Sequence, residues 1–116
     1  DCHSFPCIAL PYERAHPATV RPDICIGADD FHTSAALAEA FVTAFSQDGR
    51  TVRVNDPFSG ALVPRSRYRT DPRVAAVMVE VNRGLYLNEV DAGPLPDFAD
   101  TAAWIQDCCQ SALRST

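Results

Sequence analysis

Val74-Ala75-Ala76-Val77-Met78-Val79-Glu80-Val81-Asn82 is the stretch whose reading decides the fold. Seven of its nine residues are apolar and four are Val, a composition that suits an extended strand better than a helix. Both faces of such a strand are apolar, so it is expected at the centre of a sheet with cover on each side. Strand parity puts Ala76, Met78, Glu80 and Asn82 on one face and Val77, Val79, Val81 and Arg83 on the other. Glu80 interrupts the apolar run. Desolvation of a carboxylate there is costly and raises its pKa. Two readings follow. One is a structural ion pair with an arginine such as Arg83 or Arg53. The other is a general base near a cleft at the strand's C-terminal end, where open α/β sheets place their ligands.

Working outward, Asp23-Ile24-Cys25-Ile26-Gly27 reads as a short buried strand closed by glycine. A helix follows, with Thr33 or Ser34 as its N-cap. Ala36, Leu37, Ala40, Phe41, Ala44 and Phe45 form one stripe, and Gly49 stops the helix. Thr51-Val52-Arg53-Val54-Asn55 is a second short strand. Residues 56–72 form a long loop with three prolines and a glycine, and loops of that length are often functional. Residues 84–96 make another loop. A last helix starts near Asp97, with Phe98, Ala102, Ile105, Cys109 and Ala112 on its apolar stripe and Trp104 beside it. Pro6, Pro11, Pro17 and Pro22 predict an extended, ordered loop over residues 1–22. Strand, helix, strand, strand, helix in this order predicts an α/β sheet with helices on its faces.

The whole chain of 116 residues fits within one domain. With 47% hydrophobic and 22% charged residues it is too apolar for disorder. All ten basic residues are Arg; fifteen acidic residues bring the net charge to −5, which argues against nucleic-acid or anionic-membrane partners. No apolar run approaches the ~18 residues of a transmembrane helix. The five cysteines are odd in number and two are adjacent, so free thiols in a reducing cytoplasm are expected. Cys2, His3 and Cys7 match no zinc-finger spacing.

Beyond Glu80, three places could carry chemistry. His3 lies between Asp1-Cys2 and Ser4. Its imidazole could ligate a metal with Asp1 holding the ring, or simply be solvated. His32 stands at a strand–loop–helix junction, where backbone N–H groups favour anions; it could help bind a carboxylate or merely bond the loop. The long loop carries Asn55 and Ser59, then Arg65, Arg67, Arg69 and Arg73, either an anion-recognition patch or a solvated run. Phe58-Ser59-Gly60 lacks the elbow of a serine hydrolase.

Six segments in series resemble the N-formylglutamate amidohydrolase family. They are Asp1-Cys2-His3-Ser4-Phe5-Pro6, Arg21-Pro22-Asp23-Ile24-Cys25-Ile26-Gly27, Phe31-His32-Thr33, Val54-Asn55-Asp56-Pro57-Phe58-Ser59-Gly60, Val63-Pro64 and the run from Val77 to Tyr86. The resemblance implies a zinc hydrolase on a carboxypeptidase-like scaffold, a three-layer α/β sandwich with a mixed, mostly parallel sheet. It makes His3 a zinc ligand and Glu80 the catalytic glutamate, acting on N-formyl-L-glutamate in histidine breakdown. It makes Arg83, His32, Asn55, Ser59 and Arg67 candidates for holding the substrate's carboxylates. The family's other zinc ligands precede the His-Ser segment. Residues 1–116 are therefore expected to be the C-terminal part of the family's domain, with weak zinc binding and low activity on their own. Two alternatives share these residues: a deacylase of different acyl or amino-acid preference, its specificity set by the loop from Asn55 to Asp71, and a non-catalytic binding module of the same fold.

Overall fold

The computed structural model describes residues 1–13 and 20–116, with Asp48 described by its backbone alone; Pro17 of the predicted N-terminal loop lies outside the described residues. The central stretch forms a strand, but a shorter one than its composition predicts. The elements in order are β1 (Cys2–Phe5), β2 (Ile24–Gly27), α1 (Ala35–Phe45), β3 (Val52–Val54), β4 (Met78–Asn82), β5 (Leu87–Asn88), β6 (Gly93–Pro94) and α2 (Phe98–Arg114).

The main sheet runs β1-β4-β2-β3. β4 pairs parallel with β1 and antiparallel with β2, and β2 pairs parallel with β3. β4 is thus an interior strand, as its two apolar faces require. β1 replaces the predicted loop at Cys2-His3-Ser4-Phe5. Only Phe5 of its residues is buried, so no apolar alternation announces it; pairing with β4 makes it a strand. Residues 74–77 stay outside the ladder because the loop before α1 takes part of their backbone. Thr33 Oγ1 donates to the Ala76 carbonyl at 2.6 Å, and Ala76 N–H donates to the His32 carbonyl at 2.9 Å.

Ser34 caps α1, its hydroxyl oxygen accepting from Leu37 N–H at 3.1 Å. Both helices pack on one face of the sheet. Leu37, Phe41, Ala44 and Phe45 of α1 and Cys108 and Ala112 of α2 enclose Ile24, Ile26, Val77, Val79 and Val81. Full burial of a side chain such as Phe45 or Ile24 is worth about 1.5–3 kcal/mol. The apolar stripe of α2 is turned from the predicted one: Thr101, Cys108 and Ala112 are buried, while Phe98 and Ala102 are exposed. Trp104 meets Phe45 edge-on at 5.4 Å, and Thr101 Oγ1 donates to the Leu85 carbonyl at 3.3 Å, which together set the rotation of α2. Loops, rather than further helices, cover the opposite face among the described residues. That face carries Glu80.

Candidate functional site

The register of the sheet assembles the site. His3 is the Cα partner of Glu80 across β1 and β4, Cys25 is the partner of Glu80 across β2 and β4, and Arg53 pairs with Cys25 across β2 and β3. Neighbours in register point to the same side of a sheet. These four side chains therefore form a row on the loop-covered face, opposite the helices.

Glu80 is buried, and among the described residues its Oε2 has no hydrogen-bond partner. No ion pair joins it to Arg83 or Arg53 among the described residues. The structural ion-pair reading therefore does not describe it. Burial pushes the Glu80 carboxyl above its usual range, while the charges of His3, Arg83 and Arg21 pull it back. A carboxyl pKa raised by burial is a shift in the direction a general base uses.

His3 is half exposed at the sheet edge, and its Nε2 lies 2.7 Å from Asp1 Oδ1. The other Asp1 oxygen accepts from Leu62 N–H at 3.0 Å. Asp1 thereby links the imidazole to the loop that follows Gly60. Arg83 leaves β4 on a 3-10 turn (Arg83–Leu85) and reaches back to β1, its Nε donating to Ser4 Oγ at 3.2 Å.

Arg21 escaped the sequence reading. Its side chain is buried between two rings, 5.3 Å from the Phe5 centroid and 5.7 Å from that of Phe58. It donates to the Pro6 carbonyl at 2.8 Å and pairs with Glu13. Arg21 thus ties the chain after β1 to the loop after β3, over the same face as Glu80. The one available signal was its position, an arginine leading directly into a buried strand. Cys25 adds a bond from Sγ to the Phe58 carbonyl at 3.2 Å, and burial pushes its thiol up.

The other predicted substrate residues lie elsewhere or are engaged. Asn55 adopts the left-handed region (φ 56°), and its Oδ1 accepts from Ala28 N–H at 2.8 Å. Ser59 is exposed on the loop. Arg67 donates to Asp71 at 2.8 Å, Arg73 grips the same carboxylate through Nε and Nη2, and Arg69 lies 3.8 Å from Asp30. Arg67, Arg69 and Arg73 are thus met by acids of their own chain. His32 is buried, with both ring nitrogens engaged: one 2.8 Å from the Val74 carbonyl, the other accepting from Arg69 N–H at 2.9 Å. No hydrogen bond joins His32 or Arg67 to the His3–Glu80 pair among the described residues.

A catalytic zinc takes three protein ligands and leaves one position open. Among the described residues no group of three or more His, Cys, Asp or Glu side chains converges in that way. The described residues alone do not fit a complete zinc site.

A sequence profile described as N-formylglutamate amidohydrolase matches residues 1–87. The chain belongs to the N-formylglutamate amidohydrolase family. Two solved structures share its fold. One is an N-formylglutamate amidohydrolase from Ralstonia eutropha JMP134, with a TM-score of 0.71 and 22% identity, covering 97% of this chain and 41% of that one. The other is a gene product of Agrobacterium tumefaciens, with a TM-score of 0.62 and 25% identity, covering 97% of this chain and 40% of that one. The chain therefore spans about two-fifths of the length of these structures. No curated protein sequence matches it. Both N-formylglutamate amidohydrolase segments that flank β4, from Cys2 to Phe5 and from Ile24 to Gly27, fall within the matched residues. Among the described residues no helix is long and apolar enough to cross a membrane.

Proposed function

We propose that this chain carries part of the active site of an amidohydrolase that cleaves the formyl amide of N-formyl-L-glutamate, releasing formate and L-glutamate. The observation that carries the reading is the register of His3 with Glu80, which sets a buried carboxylate, its Oε2 without a partner among the described residues, beside an exposed imidazole. Family membership supplies the reaction class.

In this reading Glu80 takes a proton from the attacking water as the C–O bond forms. It then delivers that proton to the amide nitrogen as the C–N bond breaks. The raised pKa makes Glu80 a stronger base toward the attacking water than an ordinary carboxylate. Arg83 is the substrate-side candidate whose charge reaches Glu80, and it is assigned to a substrate carboxylate. Asn55, Ser59, Arg67 and His32 are proposed to shape the loops around the substrate rather than to touch its amide.

Zinc belongs to the proposal as a group for which His3 is one ligand. The remaining ligands would come from outside the described residues. When bound, it would polarise the formyl carbonyl. The carboxypeptidase-like three-layer scaffold, with a second helical layer over the Glu80 face, is likewise proposed, as are a cytoplasmic setting and a place in histidine breakdown.

The test is formate release from N-formyl-L-glutamate, with N-acetyl-L-glutamate and N-formyl-L-alanine as comparisons. Preference for N-formyl-L-glutamate, lost in Glu80→Gln, is expected. Equal rates on all three substrates would favour a general deacylase. A rate unchanged by Glu80→Gln would remove Glu80 from the mechanism.

A further inference from the structure

Arg69 sits in the left-handed region of backbone space with φ 55°, an unfavourable place for an arginine. Its N–H donates to Nε2 of His32 at 2.9 Å. The other ring nitrogen, Nδ1, lies 2.8 Å from the Val74 carbonyl. A carbonyl can only accept, so Nδ1 carries the hydrogen and Nε2 is a bare acceptor. The neutral ring thus clasps the arginine segment at two points, Arg69 and Val74. It is 3% exposed, with Phe31 edge-on at 4.8 Å and Tyr68 stacked at 5.8 Å.

We infer that His32 is a pH-sensitive clasp that holds residues 65–74 against the loop before α1 while neutral and releases them when protonated. Protonation turns Nε2 into a donor facing the Arg69 N–H, so the bond that restrains the strained residue becomes a repulsion. The buried carboxylates nearest the ring already have partners. On the loop before α1, Asp29 Oδ1 already accepts from the N–H groups of Phe31 and His32, and Tyr68 O–H donates to Asp29 Oδ2; Asp30 is exposed and faces Arg69. On the arginine segment, Asp71, the carboxylate that a charged ring attracts, is already bonded by Arg67 and Arg73. The N-terminus of α1, which begins at Ala35, opposes positive charge as well. Release would part Arg69 and Tyr68 from Asp29 and Asp30, the contacts that cross between the two segments. The inference stands whether or not the chain is a hydrolase.

The test is NMR on the full chain labelled with 15N. Ring 15N shifts report the protonation of His32, and hydrogen exchange reports protection of the Arg69 amide. At pH 7.5 the Nδ1–H tautomer and a protected Arg69 amide are expected. On acidification, Arg69 protection should fall at least about tenfold in step with ring protonation, while the amides of Ile24, Cys25 and Ile26 stay protected. His32→Gln, which can accept at this position but does not titrate, should lose the step. The inference is overturned if the ring protonates with Arg69 unchanged, if the ring stays neutral until the sheet amides are lost, or if the step persists in His32→Gln. Should that variant not fold, the wild-type ring and amide titrations still decide the matter.

Discussion

Glu80 and His3 stand side by side on neighbouring parallel strands, and one is buried while the other is half exposed. The difference follows from position: β4 is interior and β1 is an edge. Glu80 is thus desolvated by the sheet, whereas His3 keeps access to whatever approaches the edge. A base held in low dielectric beside an open imidazole is a division of labour that hydrolytic sites use.

The first expected outcome concerns turnover. In an enzyme form that releases formate from N-formyl-L-glutamate, Glu80→Gln should lower kcat by about 10²–10⁴-fold, the range for loss of a general acid–base. The amide is nearly isosteric, so circular dichroism should be unchanged. A loss of less than about threefold, with the fold intact, would show that Glu80 is not the proton carrier.

The same substitution should act on stability with a sign that depends on pH. Burial raises the folded pKa of Glu80 above its unfolded value. The protonated form is therefore the one the fold prefers, and ionisation above the folded pKa costs stability. Glu80→Gln should raise Tm at pH 8, and the gain should shrink as the pH falls through the folded pKa toward the unfolded one. A gain that grows on acidification would contradict the assignment of burial as the dominant cause.

Asp71 and Asp29 should produce the opposite dependence. The Arg73 side chain and N–H, with Arg67, hold the Asp71 carboxyl below its usual range. The Phe31 and His32 N–H groups, with Arg69 and Tyr68, do the same for Asp29. Folded pKa values below the unfolded ones mean stability that is present above about pH 4 and is lost as the pH falls through the folded values. Asp71→Asn and Asp29→Asn should each flatten the acid limb of a Tm-against-pH curve. An unchanged limb in both variants would show that these contacts do not hold in solution.

Metal uptake tests His3 separately from the chemistry. His3→Ala should lower the zinc retained after dialysis of the active enzyme, while Glu80→Gln should leave it in place. Retention of zinc by His3→Ala would remove His3 from the ligand set and leave Asp1 as its partner in a purely structural contact.

The elements that bury apolar stripes were legible in the sequence: Ile24-Cys25-Ile26-Gly27, the helix capped by Ser34, and the strand around Val79. Parity alone placed Glu80 on the face away from Val77, Val79 and Val81, where the structure has it. β1 was not legible, because an edge strand of mostly exposed residues carries no apolar alternation. The rotation of α2 was missed because Thr101 and Cys108 are buried through bonds to the Leu85 and Ala44 carbonyls, a choice that hydrophobic spacing does not encode. Arg21 was hidden for a related reason: its partners Phe5, Phe58 and Glu13 come from three separate segments. The fate of the arginine run also depends on distant residues, since Asp29 and His32 lie more than thirty positions from Arg67 and Arg69.

Gly27 supplies the last expected outcome, and it tests how the loop is seated over the Glu80 face. A Cβ built at this position would lie 2.4 Å from the Gly60 carbonyl oxygen and 2.4 Å from Met78 Cε. The methionine end can swing away, but the carbonyl belongs to a backbone whose N–H donates to the Ala28 carbonyl at 3.1 Å. Gly27→Ala must therefore push the loop containing Phe58 and Gly60 off the sheet, at an overpacking cost of about 1–3 kcal/mol. Phe58 rests on Phe5 and Arg21, and its carbonyl accepts from Cys25, so the displacement should expose Cys25. Urea denaturation should show the loss of stability, and thiol labelling under native conditions should show faster reaction at Cys25 than in wild type. A variant of unchanged stability and unchanged labelling would mean that the loop is not packed on β2.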